Sequence, residues 1–332
     1  MPKVDEVTVA ITVGLAVLFI GCSLAVLSWG DELYYVWLSR HLLDWPSSLV
    51  NNFPPKPVVE GWVWPLLINL FGRYTNWLIA LGLMLTFRKK AIYFLLLPLM
   101  VVMTMSLYDD LFLFALSLII FYSLKNQKPL PAAFALLIWM LQKPSWLAIL
   151  PAILYMVWKY KIKLKYFLVC MPGIVWFLTH IYTAGYIRDS ELSVMGLLVN
   201  TAFLFPVFVM GAYFNKDRDN DLLIYAALWL PLTIYFSPWW RYMLLPLYAL
   251  TSQVRIPSRK LAIVLLVWML MFQIWYVTWF LELKKDYLTH EDNGYVCIFI
   301  LGKAYMGDEW VADCVNVSAV PGARRLTVPL RY

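Results

Sequence analysis

The sequence predicts an all-α, polytopic membrane protein of about eleven transmembrane helices, and three observations carry that expectation. Of 332 residues, 62% are apolar and only 14% are charged, well under the quarter usual for soluble domains, and the mean hydropathy is +0.70. The 17 Trp, 21 Tyr and 19 Phe are residue types that collect where membrane meets water. The 27 Lys and Arg lie in short runs between apolar stretches, as in membrane loops, and form no basic face for nucleic acid. Intrinsic disorder is excluded, because it requires low hydrophobicity and dense charge.

A helix needs roughly 20 apolar residues to cross a hydrocarbon core ~30 Å thick. On that criterion the spans fall near 7–29, 73–87, 91–107, 110–124, 130–142, 145–158, 166–184, 195–213, 222–236, 243–254 and 261–283. Several are short or interrupted by proline, as in helices that border a cavity, where freed backbone groups find protein or water partners. The first span is too long for a signal peptide and lacks a small-residue cleavage site, so it reads as an anchor. With the N-terminus in the cytoplasm, the inner loops are 88–90, 125–128, 159–165, 215–221 and 255–260, holding 14 Lys and Arg. The outer loops before the tail hold six: Arg40, Lys56, Arg73, Lys143, Arg188 and Arg241. That asymmetry sets the orientation.

The chain thus divides into a transmembrane module, 1–283, and a small extracytoplasmic tail, 284–332. Cys297 and Cys314 lie in the tail. Outside the cell they either stay as two thiols or form a disulfide, closing a loop of about 17 residues and contributing ~3 kcal/mol. Cys22 and Cys170 fall within spans and read as packing residues. No internal repeat is visible.

The first outer loop, 30–72, holds the most unusual sequence. It opens on Asp31-Glu32, two carboxylates at the membrane surface. From Leu33 to Trp45 the apolar spacing is that of an amphipathic interfacial helix. Phe53-Pro54-Pro55-Lys56-Pro57 is a stiff turn presenting one lysine, and Trp62 to Phe71 is a second apolar stretch, re-entrant or interfacial. Other outer ends add Asp109-Asp110, Lys143-Pro144, and Arg241-Tyr242 after Ser237-Pro238-Trp239-Trp240. Charge held near hydrocarbon is costly and marks candidate sites. Plainer roles also suit these residues: Asp109 or Asp110 as a helix cap, Lys143 and Arg241 as snorkelling cations. His41, His180 and His290 have no metal-ligand spacing, and no nucleotide-binding or nucleophile-elbow motif is present.

Taken in order, these motifs resemble the GT-C glycosyltransferases, in the branch of the protein O-mannosyltransferases and lipid A aminoarabinose transferases. The likeness rests on Asp31-Glu32-x-x-Tyr35, on Phe53-Pro54-Pro55-Lys56-Pro57 leading to Phe71-Gly72, and on Asp109-Asp110, Lys143-Pro144 and Arg241-Tyr242-x-Leu244-x-Pro246. It covers about residues 7–250. The resemblance implies an active site on the outer face and a sugar donor linked to polyprenyl or dolichyl phosphate. Asp31 would be the general base, with Glu32 beside it. Lys56 would meet the donor phosphate, with Lys143 and Arg241 assisting. Tyr35, Glu60, Asp109, Asp110, Trp239 and Tyr242 would line the substrate. Direct displacement at the anomeric carbon would invert its configuration. No soluble cofactor is required, and a divalent cation is an optional addition if Asp31, Glu32, Asp109 and Asp110 converge as oxygen ligands. The acceptor would be a hydroxyl of a protein, a glycan or a lipid. The expected setting, among membrane lipids, is a prokaryotic plasma membrane. Two other readings are a transporter or flippase for lipid-linked sugars and a non-catalytic scaffold of the same fold. The lack of a repeat and the gathering of ionisable groups outside favour the enzyme.

Overall fold

The computed structural model describes residues 6–24, 35, 39, 61, 63–87, 100, 103–143, 145–184, 219–236, 244–252, 267, 271, 274, 278, 291–292, 295–296 and 315–316. Among the described residues the helices in order are α1 (Glu6–Leu24), α2 (Val63–Phe71), α3 (Thr75–Phe87), α4 (Asp110–Lys125), α5 (Pro129–Gln142), α6 (Trp146–Lys159), α7 (Met171–Ala184), α8 (Asn220–Phe236) and α9 (Leu244–Thr251). Single turns of 3-10 helix, Gly72–Tyr74, and a longer stretch, Leu164–Cys170, precede α3 and α7. The chain is therefore predominantly helical, as its composition predicts.

Helices α3 to α6 and α8 begin and end within a few residues of the expected spans, because each apolar run is bounded by charge, proline or asparagine. Two ends show how. At α4, Lys128 N–H donates to Ser123 O (2.8 Å) and Gln127 N–H to Leu124 O (3.0 Å). At α6, Ile162 N–H donates to Val157 O (3.0 Å) and Lys161 N–H to Trp158 O (3.3 Å). Both are Schellman closures, which need a left-handed residue just past the helix. Gln127 (φ 55°) and Lys161 (φ 52°) fill that place without being glycine.

One expected span is corrected. Residues 166–184 are not a single α-helix: Leu164–Cys170 is 3-10, and α7 starts at Met171. Pro172 has no N–H and its ring crowds the preceding turn, so it fits only in the first turn of a helix. The described helices fit the expected all-α class; in the tail, β1 (Glu291–Asp292), β2 (Tyr295–Val296) and β3 (Val315–Asn316) add a small antiparallel sheet. The pairs Tyr295↔Asn316 and Val296↔Val315 define its register. Cys297 and Cys314 lie outside the described residues.

The helices pack as a bundle around α4 and α5, with α6 against α8, α8 against α9, and α1 against α3. Tyr225 O–H donates to Ser117 O (3.2 Å), tying α8 to α4, and the hydroxyls of Tyr122 and Tyr248 meet at 3.2 Å, tying α4 to α9. Trp77 Nε1 donates to Leu15 O (3.0 Å), and Phe19 stacks on Tyr74, fixing α1 to the start of α3. Because α4, α5 and α6 alternate in direction, their connections sort to two ends. The C-termini of α4 and α6 share one end with the start of α8; the start of α4 and the end of α5 share the other.

Among the described residues no helix is both long and apolar enough to cross a membrane. Yet apolar side chains also face outward: Val13, Val17, Ile20, Leu85, Ile119, Leu154, Val175 and Leu178 are all exposed. Helix α1 shows the same character, being apolar on every side, with almost no amphipathic bias.

Candidate functional site

At one end of the bundle, Asp109 stands just before α4 and Lys143 just after α5. The Asp109 carbonyl accepts the first intrahelical bond, from Leu113 N–H (2.9 Å), but its carboxylate makes no capping bond. The carboxylate turns to α5 instead. Lys143 Nζ lies 3.0 Å from Asp109 Oδ1, and Gln142 Nε2 donates to Oδ2 at 3.3 Å. The Asp109 side chain is 1% exposed and that of Lys143 14%. A carboxylate so far from water requires both a counter-charge and hydrogen-bond donors, and this one has them. The expected plain roles, Asp109 as a side-chain cap and Lys143 as a free snorkelling cation, are therefore corrected.

The second half of the first outer loop is seated on this pair. Gly61 N–H donates to Gln142 O (2.6 Å), and Trp64 N–H donates to Gln142 Oε1 (2.8 Å). Trp64 is fully buried; its indole donates to Leu107 O (2.8 Å) and its rings stack on Phe112 at 5.6 Å. A Cβ on Gly61 would stand 1.5 Å from Leu141 O, so only glycine permits this approach. Thus the stretch expected to be re-entrant or interfacial is helical over Val63–Phe71, and it packs against protein at the same end as Asp109.

Two further residues brace the same end. Asn76 Nδ2 lies 2.7–2.9 Å from the carbonyls of Met103, Ser106 and Tyr108, holding the turn that delivers Asp109. Arg73 Nη1 donates to Ser23 O at 2.5 Å and Cys22 Sγ donates to Arg73 O at 3.0 Å, which ties the end of α1 to the entry of α3. Asp31 follows α1 in the chain by seven residues.

The sequence-predicted residues divide cleanly. Asp109 and Lys143 are brought into contact. Asp110 is buried as the first residue of α4, where a carboxylate suits the helix dipole. Tyr35 is buried and helical, as is Ser39 one turn on, whose carbonyl accepts from Asn69 Nδ2 (2.7 Å). Asp31, Glu32, Lys56, Glu60, Trp239, Arg241, Tyr242, Cys297 and Cys314 lie outside the described residues. Sequence reasoning missed Gln142, Gly61 and Asn76. Gln142 did carry a signal: it is the polar residue that closes an otherwise apolar run, Pro129 to Leu141, immediately before Lys143.

For the optional cation, no group of three or more His, Cys, Asp or Glu among the described residues is placed to hold a metal. Both Asp109 oxygens meet N–H donors, so this carboxylate is set toward Lys143 and Gln142.

The opposite end of the bundle is built differently. Lys125 Nζ pairs with Asp219 Oδ2 at 2.6 Å, and Asp219 Oδ1 accepts from Leu222 N–H (3.3 Å) to cap α8. Asp221 accepts from Lys159 Nζ and from Tyr160 O–H, the latter at 2.5 Å. Burial pushes the Asp221 carboxyl up, but the bonds from Lys159 and Tyr160 outweigh it and hold it below the usual carboxylate range. Burial first, then the bond to Asp221, pushes the Tyr160 phenol up to about 12. Asp221 likewise holds Lys159 above the ordinary lysine value. These pairs clamp α4, α6 and α8 together.

Comparison with protein-family models, curated proteins and solved structures yields no match.

Proposed function

We propose that this chain is an integral membrane glycosyltransferase. It would move a sugar from a polyprenyl- or dolichyl-phosphate donor to a hydroxyl of a protein, glycan or lipid, on the extracytoplasmic face. One observation carries the reading: a lysine–carboxylate pair, Lys143 and Asp109, is held at the outer end with the first outer loop anchored on it. Departure of a lipid phosphate requires a cation beside the developing charge, and Lys143 supplies one next to the loop whose motifs resemble the GT-C family. The outward apolar side chains support the membrane setting, since lipid is the solvent that such helix faces suit.

In this reading Asp31 takes the proton from the acceptor hydroxyl as its oxygen bonds to the anomeric carbon. The bond from that carbon to the phosphate oxygen breaks on the opposite face, and configuration inverts. Lys56, Lys143 and Arg241 neutralise the departing phosphate, while Asp109 holds the Lys143 ammonium in place. Tyr35, Glu60, Asp110, Trp239 and Tyr242 contribute to the substrate surface.

The test is mass spectrometry of glycolipids and glycoproteins from cells carrying wild type or Asp31→Asn at equal abundance. Loss of one sugar increment from a defined carrier is expected, and it identifies both sugar class and acceptor. Identical glycan profiles would remove the catalytic reading.

A further inference from the structure

We infer that Gln142 is a positioning residue, a latch that seats the start of α2 on the Asp109–Lys143 pair and so sets how the first outer loop meets the donor phosphate. Its consequence for the donor rests on the function proposed above; the latch itself rests on geometry. Gln142 is fully buried. Its side-chain oxygen accepts from Trp64 N–H, its side-chain nitrogen donates to Asp109, and its backbone carbonyl accepts from Gly61 N–H. The last carbonyls of a helix have no partner in their own helix, so the Gly61 amide fills a place that α5 leaves open.

The bonds run to two segments, the start of α2 (Gly61, Trp64) and the residue before α4 (Asp109), and no other residue type offers the same side-chain pair at this reach. Glutamine places one acceptor and one donor on a single rigid amide. Asparagine is shorter by a methylene, and an introduced carboxylate would lack the donor for Asp109. Lys143 follows directly in extended conformation (φ −156°, ψ 139°), so movement of Gln142 moves the ammonium. Upstream, Glu60 precedes Gly61 by one residue and Lys56 by five. The latch therefore joins the segment bearing the loop lysine to the pair bearing the helix lysine. Two phosphate-binding cations on different segments act together only if their spacing is held.

The experiment uses the full chain in detergent and three variants: Gln142→Met, Gly61→Ala, and both together. Methionine keeps nearly the volume of glutamine without its hydrogen bonds; alanine at 61 forces the loop from Leu141 while Gln142 is intact. Hydrogen exchange over residues 61–68 and affinity for undecaprenyl phosphate, which needs no knowledge of the sugar, are the readouts. Each single variant is expected to speed exchange at 61–64 at least tenfold, with the amides of α4 and α6 unchanged, and to weaken undecaprenyl phosphate about tenfold. The double variant should be no worse than the worse single, because both break one contact. Should Gly61→Ala fail to fold, Gln142→Met decides by itself. Unchanged exchange in Gln142→Met overturns the latch. Faster exchange with unchanged undecaprenyl phosphate affinity overturns its role in setting the donor site. If wild type does not bind undecaprenyl phosphate at all, the proposed function fails; the exchange result then upholds or overturns the latch alone.

Discussion

Replacing Lys143 by methionine should be among the most damaging single changes at the end of the bundle that holds Asp109. The Nζ–Oδ1 separation is 3.0 Å, with the Asp109 side chain 1% and the Lys143 side chain 14% exposed. An exposed pair at that distance would be worth about 0–1 kcal/mol. This pair is in the other regime, where deleting one member strands a buried charge at a cost of about 3–5 kcal/mol. Gln142 still donates at 3.3 Å, which places the expected loss near the lower bound, about 3 kcal/mol. Methionine keeps the aliphatic stem, so little of that loss comes from packing. At roughly 2–4 °C per kcal/mol for a chain of this size order, the midpoint should fall by at least about 6 °C. Tryptophan fluorescence in detergent at a fixed scan rate measures it. The companion variant, Asp109→Leu with Lys143→Met, removes both charges, and it should lose less than Lys143→Met alone. A loss under about 1 kcal/mol in the single variant would refute the buried-pair argument. So would a double variant as damaging as the two singles summed.

Three further outcomes are expected. Because the folded Asp221 carboxyl titrates below its unfolded value, its contribution is complete above roughly pH 4 and fades as pH falls through the folded value. Wild type should therefore lose stability as pH falls below about 4, and Asp221→Asn should lose less; parallel thermal-midpoint curves would contradict the clamp. Gln127→Gly and Lys161→Gly should each raise stability by about 0.5–1 kcal/mol, since both positions are left-handed; a decrease in thermal midpoint would show that the side chains themselves hold the turns. Peptide mapping without reductant should recover Cys297 joined to Cys314, as an oxidising setting for the tail would favour; recovery of both as free thiols would count against that pairing.

Much of the fold is legible in the amino-acid order, for an identifiable reason. An apolar run such as Asp110 to Lys125 carries its own boundaries, a carboxylate at the start and a lysine at the end, and α4 spans those residues. Backbone hydrogen bonding within one segment needs no distant partner, so such helices can be read locally. The 3-10 stretch before Pro172 and the short sheet in the tail were less visible. The first depends on a competition between two helical hydrogen-bond patterns in one apolar segment. The second depends on pairing between strands twenty residues apart in the chain, such as Tyr295 with Asn316.

The candidate site divides along the same line. Composition and charge order determined that Asp109 and Lys143 belong to one end of a helical bundle, since alternating helices sort their connections by parity. Only the tertiary structure decided that the two meet, that Asp109 leaves its own helix uncapped by its side chain to do so, and that Gln142 and Gly61 bind the first loop to them. Such contacts are decided by distances of 3 Å between residues as far apart as 61 and 142. Residue type announces the chemistry a side chain can perform; the packing of α2, α4 and α5 determines which partner is close enough, and dry enough, for that chemistry to count.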